Sequence, residues 1–471
     1  MQAQRVDTIV QGGTVVTATS AFPASVAIKG ERIAAVGPQE VMPPANRTID
    51  ATGKLVFPGL IDCHVHLRPA PGDDWSIGPR AAAHSGLTTI IPFAGYNRDT
   101  QETLPQAIAR IRAEAERNSV VDFGLHFILG NTPYILESVP DAMRLGVTSY
   151  KMFMTYDNRS PDSLIARVMD AVGGNGGVMQ LHCENGEVIE YLMSKAQAEG
   201  RVKPTDFPAT CPPWAEAEAI NRAILLGAMT NCPTYVVHLS TKLGLERIME
   251  AQAQGQRVWT ETCPQYLLLD EGEMERLGPL AKIGPPLRSK DRVNQEAMWW
   301  GSQHGYIACV ASDHAPALRE AKEPGWKNIF RNEQGQPIPF GAPSLETIVP
   351  LMYGEGVAKR NLPAWWMARV LSENPARIFG LYPRKGVIQP GADADLCIWD
   401  PNAERTISAR NHHSTTGYTP YEDWKVKGRP WMTLLRGKVL LNAEGRLEQQ
   451  PGYGKFLPEG GPTPPIAGRV C

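Results

Sequence analysis

The chain has 471 residues, with 47 Lys and Arg against 49 Asp and Glu, 10 His and a formal net charge of −2 at pH 7. So even a balance offers no basic field to a phosphate backbone, which disfavours nucleic acid as the main partner. The 44 Gly and 40 Pro predict many turns between short elements; apolar runs continue throughout, so the chain reads as globular and is long enough for one barrel of about 250 residues to absorb most of it.

The first residues, MQAQRVDTIVQGGTVVT, lack a basic stretch followed by a long apolar one, and no run reaches the ~18 apolar residues of a membrane span. Cys63, Cys183, Cys211, Cys232, Cys263, Cys309, Cys397 and Cys471 form no CxxC pair and suggest neither a disulfide framework nor a thiolate zinc site. A cytoplasmic protein is expected. Short β runs open the chain at Thr8–Val10, Thr14–Val16, Val26–Ile28 and Ile33–Val36, separated by turns. Eight apolar β-type runs follow: Leu60–His66, Leu87–Phe93, Val120–Leu129, Val147–Met154, Val178–His182, Thr234–His238, Val258–Thr262 and Ile307–Asp313. Helical patterns at Leu104–Arg117, Pro161–Val172, Val188–Gln197, Trp214–Leu226 and Gly244–Gln252 supply crossovers, with Pro161 in a first turn and Ser160 as N-cap. The end returns to β character at Ala394–Trp399, Thr433–Leu435 and Lys438–Leu441.

This order predicts an α/β fold: a (β/α)8 TIM-like barrel over 56–384, a small β-sandwich built from both termini (1–55 plus 385–450) and a tail over 451–471. A doubly wound sheet would show the same alternation. The barrel is preferred because polar residues cluster at the C-terminal ends of several strands, where barrel active sites lie.

His64 and His66 are two apart on one strand and so point the same way, able to share one metal ion. Alone, such a pair divides evenly between a ligand pair and two solvent-capped strand ends. His182 and His238 each close an apolar run, and Asp313 closes another; a carboxylate there must be paired, hydrogen-bonded or metal-bound. Lys151 is the one full charge in its core strand. Taken by itself it is more readily a lysine snorkelling to the rim. Burial would lower its pKa instead, and the free amine could take up carbon dioxide to become a carbamate able to bridge two cations.

PGLIDCHVH, the strand-borne Lys151, LHCEN, VVHLS, ASDHAP and the closing GVIQPGADADLCIWDP resemble the cyclic amidohydrolases of the amidohydrolase superfamily, the group of dihydropyrimidinases, hydantoinases, allantoinases and dihydroorotases. The resemblance covers nearly the whole chain. It implies two zinc ions, His64, His66 and Asp313 on one and His182 and His238 on the other, with carboxylated Lys151 between them. It further implies a metal-bridging hydroxide that attacks a ring carbonyl, Asp313 as general base and Tyr156 as donor to the oxyanion.

For the substrate, TGYTPYEDWKVKGRPWMTLLRGKVL and PGYGKFLP resemble hydantoinases and dihydropyrimidinases, which implies ring opening of a cyclic amide, imide or ureide. Two positions depart from that pattern: Gly284 stands where hydantoinases carry a serine and Phe340 where they carry an asparagine. Phe93, Phe153 and Phe340 suggest an apolar pocket. HVHLR and FGAPSLET are similar to dihydroorotases, so Arg68 could hold a carboxylate, but Phe93 and Ala317 replace their other partners; otherwise Arg68 pairs with Asp73 or Asp74. An allantoinase-like amidase, a non-catalytic assembly protein of the dihydropyrimidinase-related kind and a mononuclear deaminase are the alternatives. The last would not need Lys151, and the assembly proteins lack the ligands present here. The loops Leu67–Ile77 and Ala315–Ser344 are long enough to cover the mouth, the second as a lid. Relatives imply a homotetramer or dimer, with the tail from Gly452 free to reach a neighbour.

Overall fold

The computed structural model describes residues 5–69, 71–130 and 132–466. Residues 1–4 of the expected N-terminal β segment, Ala70 of the loop after the first stave, and 467–471 of the expected tail, with Cys471, lie outside them. The eight runs become a parallel barrel, as expected. Leu60–Val65 pairs with Leu87–Ala94, and the order continues through His126–Ile128, Ser149–Phe153, Val178–His182, Thr234–Val236, Val258–Thr262 and Cys309–Val310. The ring closes where Val65 bridges His314 and the His66 N–H donates to the His314 carbonyl at 2.7 Å. Leu87–Ala94 is buried at every position, as a strand covered on both faces must be.

Three local expectations change. The third stave splits into Asp122–Phe123 and His126–Ile128, because the C-terminal tail joins the barrel there: Phe456 bridges Phe123, and Glu459 occupies the space a side chain at Gly124 would fill. The eighth stave is laddered only at Cys309–Val310, since the chain bends after it and Asp313 takes φ +48°. The helix expected at Pro161–Val172 runs Asp162–Gly174 with Pro161 itself as the capping residue, φ −66° and ψ 150°, while the buried Ser160 hydroxyl finds no partner among the described residues. Proline's fixed φ serves an extended cap as well as a first turn.

Both termini build the β-sandwich. One sheet orders Arg32–Gly37, Ser25–Lys29, Val6–Gln11 and Ala45–Asp50; the other orders Lys438–Leu441, Lys425–Leu435, Leu396–Thr406, Leu55–Pro58, Thr14–Val16 and Ala21–Pro23. The termini meet where Leu55–Pro58 runs antiparallel to Leu396–Thr406, with Leu396 opposite Pro58 and Trp399 opposite Leu55. The sheets share a core of Val10, Ile28, Ile49, Val56, Leu396, Ile398 and Leu434. Ala45–Asp50 has four exposed positions and one buried one, so no apolar alternation marked it beforehand.

Over its described length the tail packs on its own chain. It lies along its own barrel floor: the Phe123 N–H donates to the Lys455 carbonyl, the Leu457 N–H to Phe123, the Glu459 N–H to Gly146 and the Thr463 N–H to Arg377. Close by, the Lys385 ammonium lies 2.7 Å from Asp122, 2.9 Å from Asp393 and 2.6 Å from Asp395, all buried, tying barrel to sandwich. Burial alone would discharge this amine, but Asp395, Asp122 and Asp393 together hold it above the ordinary lysine range. Lys385→Met leaves the buried Asp395 without its cation and strips one from Asp122 and Asp393, which keep Arg436 and Arg384, so unfolding in urea is expected to show a loss of about 3–5 kcal/mol. A loss under about 1 kcal/mol would mean that the carboxyls relieve themselves by protonation. Among the described residues no helix is long and apolar enough to cross a membrane.

Candidate metal centre

Strand alternation performs the first assembly. His64 lies in the first stave and His66 one residue beyond it, on the same side, with their Nε2 atoms 3.2 Å apart. Asp313 arrives from beyond the eighth stave and places Oδ1 3.1 Å from His64 Nε2 and 3.7 Å from His66 Nε2. Lys151, in the middle of Ser149–Phe153, is 1% exposed and brings Nζ to 3.1 Å from His64 Nε2. His182 ends its stave and His238 follows Thr234–Val236 by two residues; their ring centroids are 4.4 Å apart, and His238 lies 5.5 Å from the His64 ring. Residues scattered from 64 to 313 thus meet at one end of the barrel.

The donors fit divalent cations. A carboxylate can only accept, so Glu261 against His64 Nδ1 fixes that proton and leaves Nε2 bare. His238 Nδ1 is buried without a hydrogen-bond partner among the described residues. Lone pairs crowded together out of water are costly unless a cation neutralises them, and His64, His66 and Asp313 offer three ligand atoms within 4.8 Å of one another. Imidazole with carboxylate is a donor set that suits zinc. Burial holds His66 and His238 well below the ordinary histidine range and lowers His182 too, so these rings are neutral and free to ligate. Burial also pushes Lys151 down to about 8. Near pH 8 a large share of it is therefore free amine, the form that takes up carbon dioxide.

Aromatic rings maintain that burial. Phe93 stacks on His66 at 5.1 Å and lies 4.3 Å from Lys151 Nζ, with Phe153 5.1 Å from it on another side. Two of the three phenylalanines expected to line the pocket thus wrap the amine. Tyr156 is half-buried, 4.8 Å from the His182 ring and 5.1 Å from Phe340. Burial pushes its phenol well above the usual tyrosine range, so it remains a donor. At Gly284 an added Cβ would stand 2.1 Å from the Tyr156 hydroxyl, so the missing side chain is the notch that receives the phenol. Tyr156, His238 and Asp313 take φ +65°, +39° and +48°, a strain of about 1–3 kcal/mol each that the surrounding fold must sustain.

Arg68 is exposed and forms no ion pair among the described residues. The expected rim pair is absent because Asp73 is occupied by His314 at 3.2 Å and by Thr415, while Asp74 accepts from Ser76. The expected lid, 315–344, is anchored: the buried Lys322 ammonium donates to the carbonyls of Leu280, Lys282 and Gly341.

Sequence reasoning missed the supporting carboxylates. Besides holding His64, Glu261 accepts from the Tyr235 hydroxyl at 2.9 Å and the His238 N–H at 3.2 Å. Glu184 lies 2.7 Å from His182 Nε2, and Asp62 accepts from the Ser312 N–H at 3.1 Å, joining first stave to eighth. A full charge inside VWTET was the available signal for Glu261, the same signal that singled out Lys151. Glu261→Gln is expected to weaken metal retention about 10–100-fold in a chelator competition; unaltered retention would make Glu261 purely structural.

The amidohydrolase family model matches residues 55–440. The chain is 36% identical over 461 residues to a D-hydantoinase of Rhizobium radiobacter, covering 96% of this chain and 98% of that one. Among solved structures it is similar to a D-hydantoinase of a Bacillus species, TM-score 0.90 and 36% identity over 97% of this chain and 100% of that one. A dihydropyrimidinase of Brevibacillus agri matches at TM-score 0.90 and 34% identity, with the same coverage.

Proposed function

The chain belongs to the amidohydrolase family and is a cyclic amidohydrolase, and on that premise we propose that it opens a five- or six-membered cyclic amide, imide or ureide at a C–N bond, using two zinc ions. His64, His66 and Asp313 would hold one ion and His182 and His238 the other, with N6-carboxylated Lys151 shared between them. One observation carries this reading: six competent side chains from five different staves converge where buried lone pairs lack a counter-charge among the described residues.

Two divalent cations bring the pKa of water toward neutrality and polarise a carbonyl. The remaining work falls to the chain. Asp313 takes the proton of the attacking water at a carboxylate oxygen and returns it to the ring nitrogen, which is a poor leaving group until protonated. Tyr156 donates from its phenol to the oxygen on which charge develops. Phe93 and Phe153 exclude water from Lys151, preserving the low-dielectric surroundings that the reaction needs.

A dihydroorotase-like reading finds little support, since Arg68 is exposed and Phe93 covers His66. A non-catalytic assembly role is disfavoured by the competent ligand set. Seven described cysteines are buried and unpaired, which suits a reducing cytoplasm, and a homodimer or homotetramer completes the proposal. The test sets hydantoin, dihydrouracil, allantoin, dihydroorotate and simple cyclic imides side by side, with elemental analysis. Two zinc ions per chain and ring opening to an N-carbamoyl or amide acid are expected. Turnover of dihydroorotate alone, or protein without metal, would overturn the reading.

A further inference from the structure

Beyond the eighth stave come Ser312, Asp313 and His314, and both neighbours of Asp313 are stitched to the first stave. The Ser312 hydroxyl donates to the His64 carbonyl at 3.2 Å, while the His314 carbonyl accepts from the His66 N–H at 2.7 Å. The His314 side chain reaches further. Its Nδ1 accepts from the N–H groups of Ser344 at 3.1 Å and Leu345 at 3.3 Å, where the long loop after the eighth stave ends. An accepting ring nitrogen carries no proton, so the imidazole carries its proton on Nε2. That nitrogen faces Asp73 Oδ2 at 3.2 Å, and neither atom has a hydrogen-bond partner elsewhere among the described residues.

Asp73 is itself fixed. It is fully buried, its Oδ1 accepts from the Thr415 N–H and hydroxyl, both at 2.7 Å, and its carbonyl accepts from the Arg68 N–H at 2.9 Å. The loop after the first stave, the end of the loop after the eighth and the turn around Thr415 thus meet behind one imidazole, next in the chain to Asp313. Burying a carboxylate costs free energy unless it is paired, and His314 is the titratable partner that Asp73 meets. Asp313 takes φ +48°, a left-handed conformation that a side chain adopts only under constraint from its surroundings. From this turn its carboxylate stands 3.1 Å from His64 Nε2 and 3.7 Å from His66 Nε2. Relaxation to extended backbone would swing the carboxylate away from both rings.

We propose that Asp73 and His314 are positioning residues: acting through the His314 ring, Asp73 holds the Asp313 turn in the conformation that aims its carboxylate at His64 and His66. Neither residue touches the reacting atoms. Their contribution is to keep the proton-accepting oxygen at one distance from the attacking water, a placement to which proton transfer is sensitive. The kinetic part of this inference rests on the cyclic amide reading above.

The experiment measures kcat, KM and zinc retention against a chelator in Asp73→Ala, in His314→Asn, in the double variant and in Thr415→Val. Asparagine at 314 keeps an oxygen for the Ser344 and Leu345 amides but lacks the arm that meets Asp73. Each single variant at 73 or 314 is expected to lower kcat and zinc retention about 10–100-fold, the range for residues that orient a ligand from behind, with KM nearly unchanged. The double variant should lose no more than the worse single one, because the two residues act along one line. Thr415→Val spares the His314 contact and should keep kcat within about threefold of wild type. Losses that multiply in the double variant, a Thr415→Val loss equal to that of Asp73→Ala, or kcat and zinc retention unmoved at 73 would each overturn the proposal. If the wild type opens no ring, the cyclic amide reading falls, and zinc retention alone decides: a drop shared by Asp73→Ala and His314→Asn supports the clamp, and unaltered retention sinks it. If Asp73→Ala does not fold, Asp73→Asn decides by the same readouts, since its one oxygen cannot serve both Thr415 and His314.

Discussion

Asp313→Asn is expected to lower kcat on the preferred ring by about 10²–10⁴-fold, the range for loss of a positioned proton-transfer group. The substitution nearly preserves volume, so the left-handed turn at φ +48° can survive. Asparagine tolerates that region well. What it loses is the ability to take a proton and the charge that faces His64 at 3.1 Å and His66 at 3.7 Å. Metal analysis separates these two losses. A variant that retains both ions yet has lost turnover assigns the effect to proton transfer; a variant that has lost an ion assigns it to ligation. Turnover within tenfold of wild type would remove Asp313 from the mechanism.

Tyr156→Phe is expected to lower kcat by about 10²–10³-fold, as removal of one oxyanion donor does, with metal content unchanged. The ring contacts to His182 and Phe340 persist in phenylalanine, so only the hydroxyl is subtracted. Because burial holds the phenol well above the ordinary tyrosine range, it donates throughout the working pH interval. The wild-type rate should therefore show no limb from Tyr156 ionisation below pH 10. Near wild-type turnover in the variant would refute the role.

The candidate ligands were legible because burial makes polar residues conspicuous. His182, His238 and Asp313 each close an apolar run, and Lys151 interrupts one, so each position required a partner that the adjacent sequence did not contain. Glu261 sends the same signal in VWTET but lies among threonines, which diluted it. Arg68 shows the opposite error: proximity to Asp73 and Asp74 suggested a pair, yet Asp73 is engaged by His314 and Thr415. Gly284 was legible only as a missing serine; that its empty Cβ position holds a phenol from residue 156 requires both loops in space.

By itself the sequence determined the alternation of staves and crossovers, the joining of both ends in β structure, and the residue types facing the barrel mouth, since these follow from hydrophobic period and from desolvation cost, both local properties. The tertiary structure alone decided which carboxylate steadies which imidazole, that the tail seals the barrel floor and splits its third stave, and that the notch at Gly284 receives the Tyr156 phenol. Those facts depend on side chains brought within a few ångströms from positions far apart in the chain, and short-range forces act only once the fold has closed that distance.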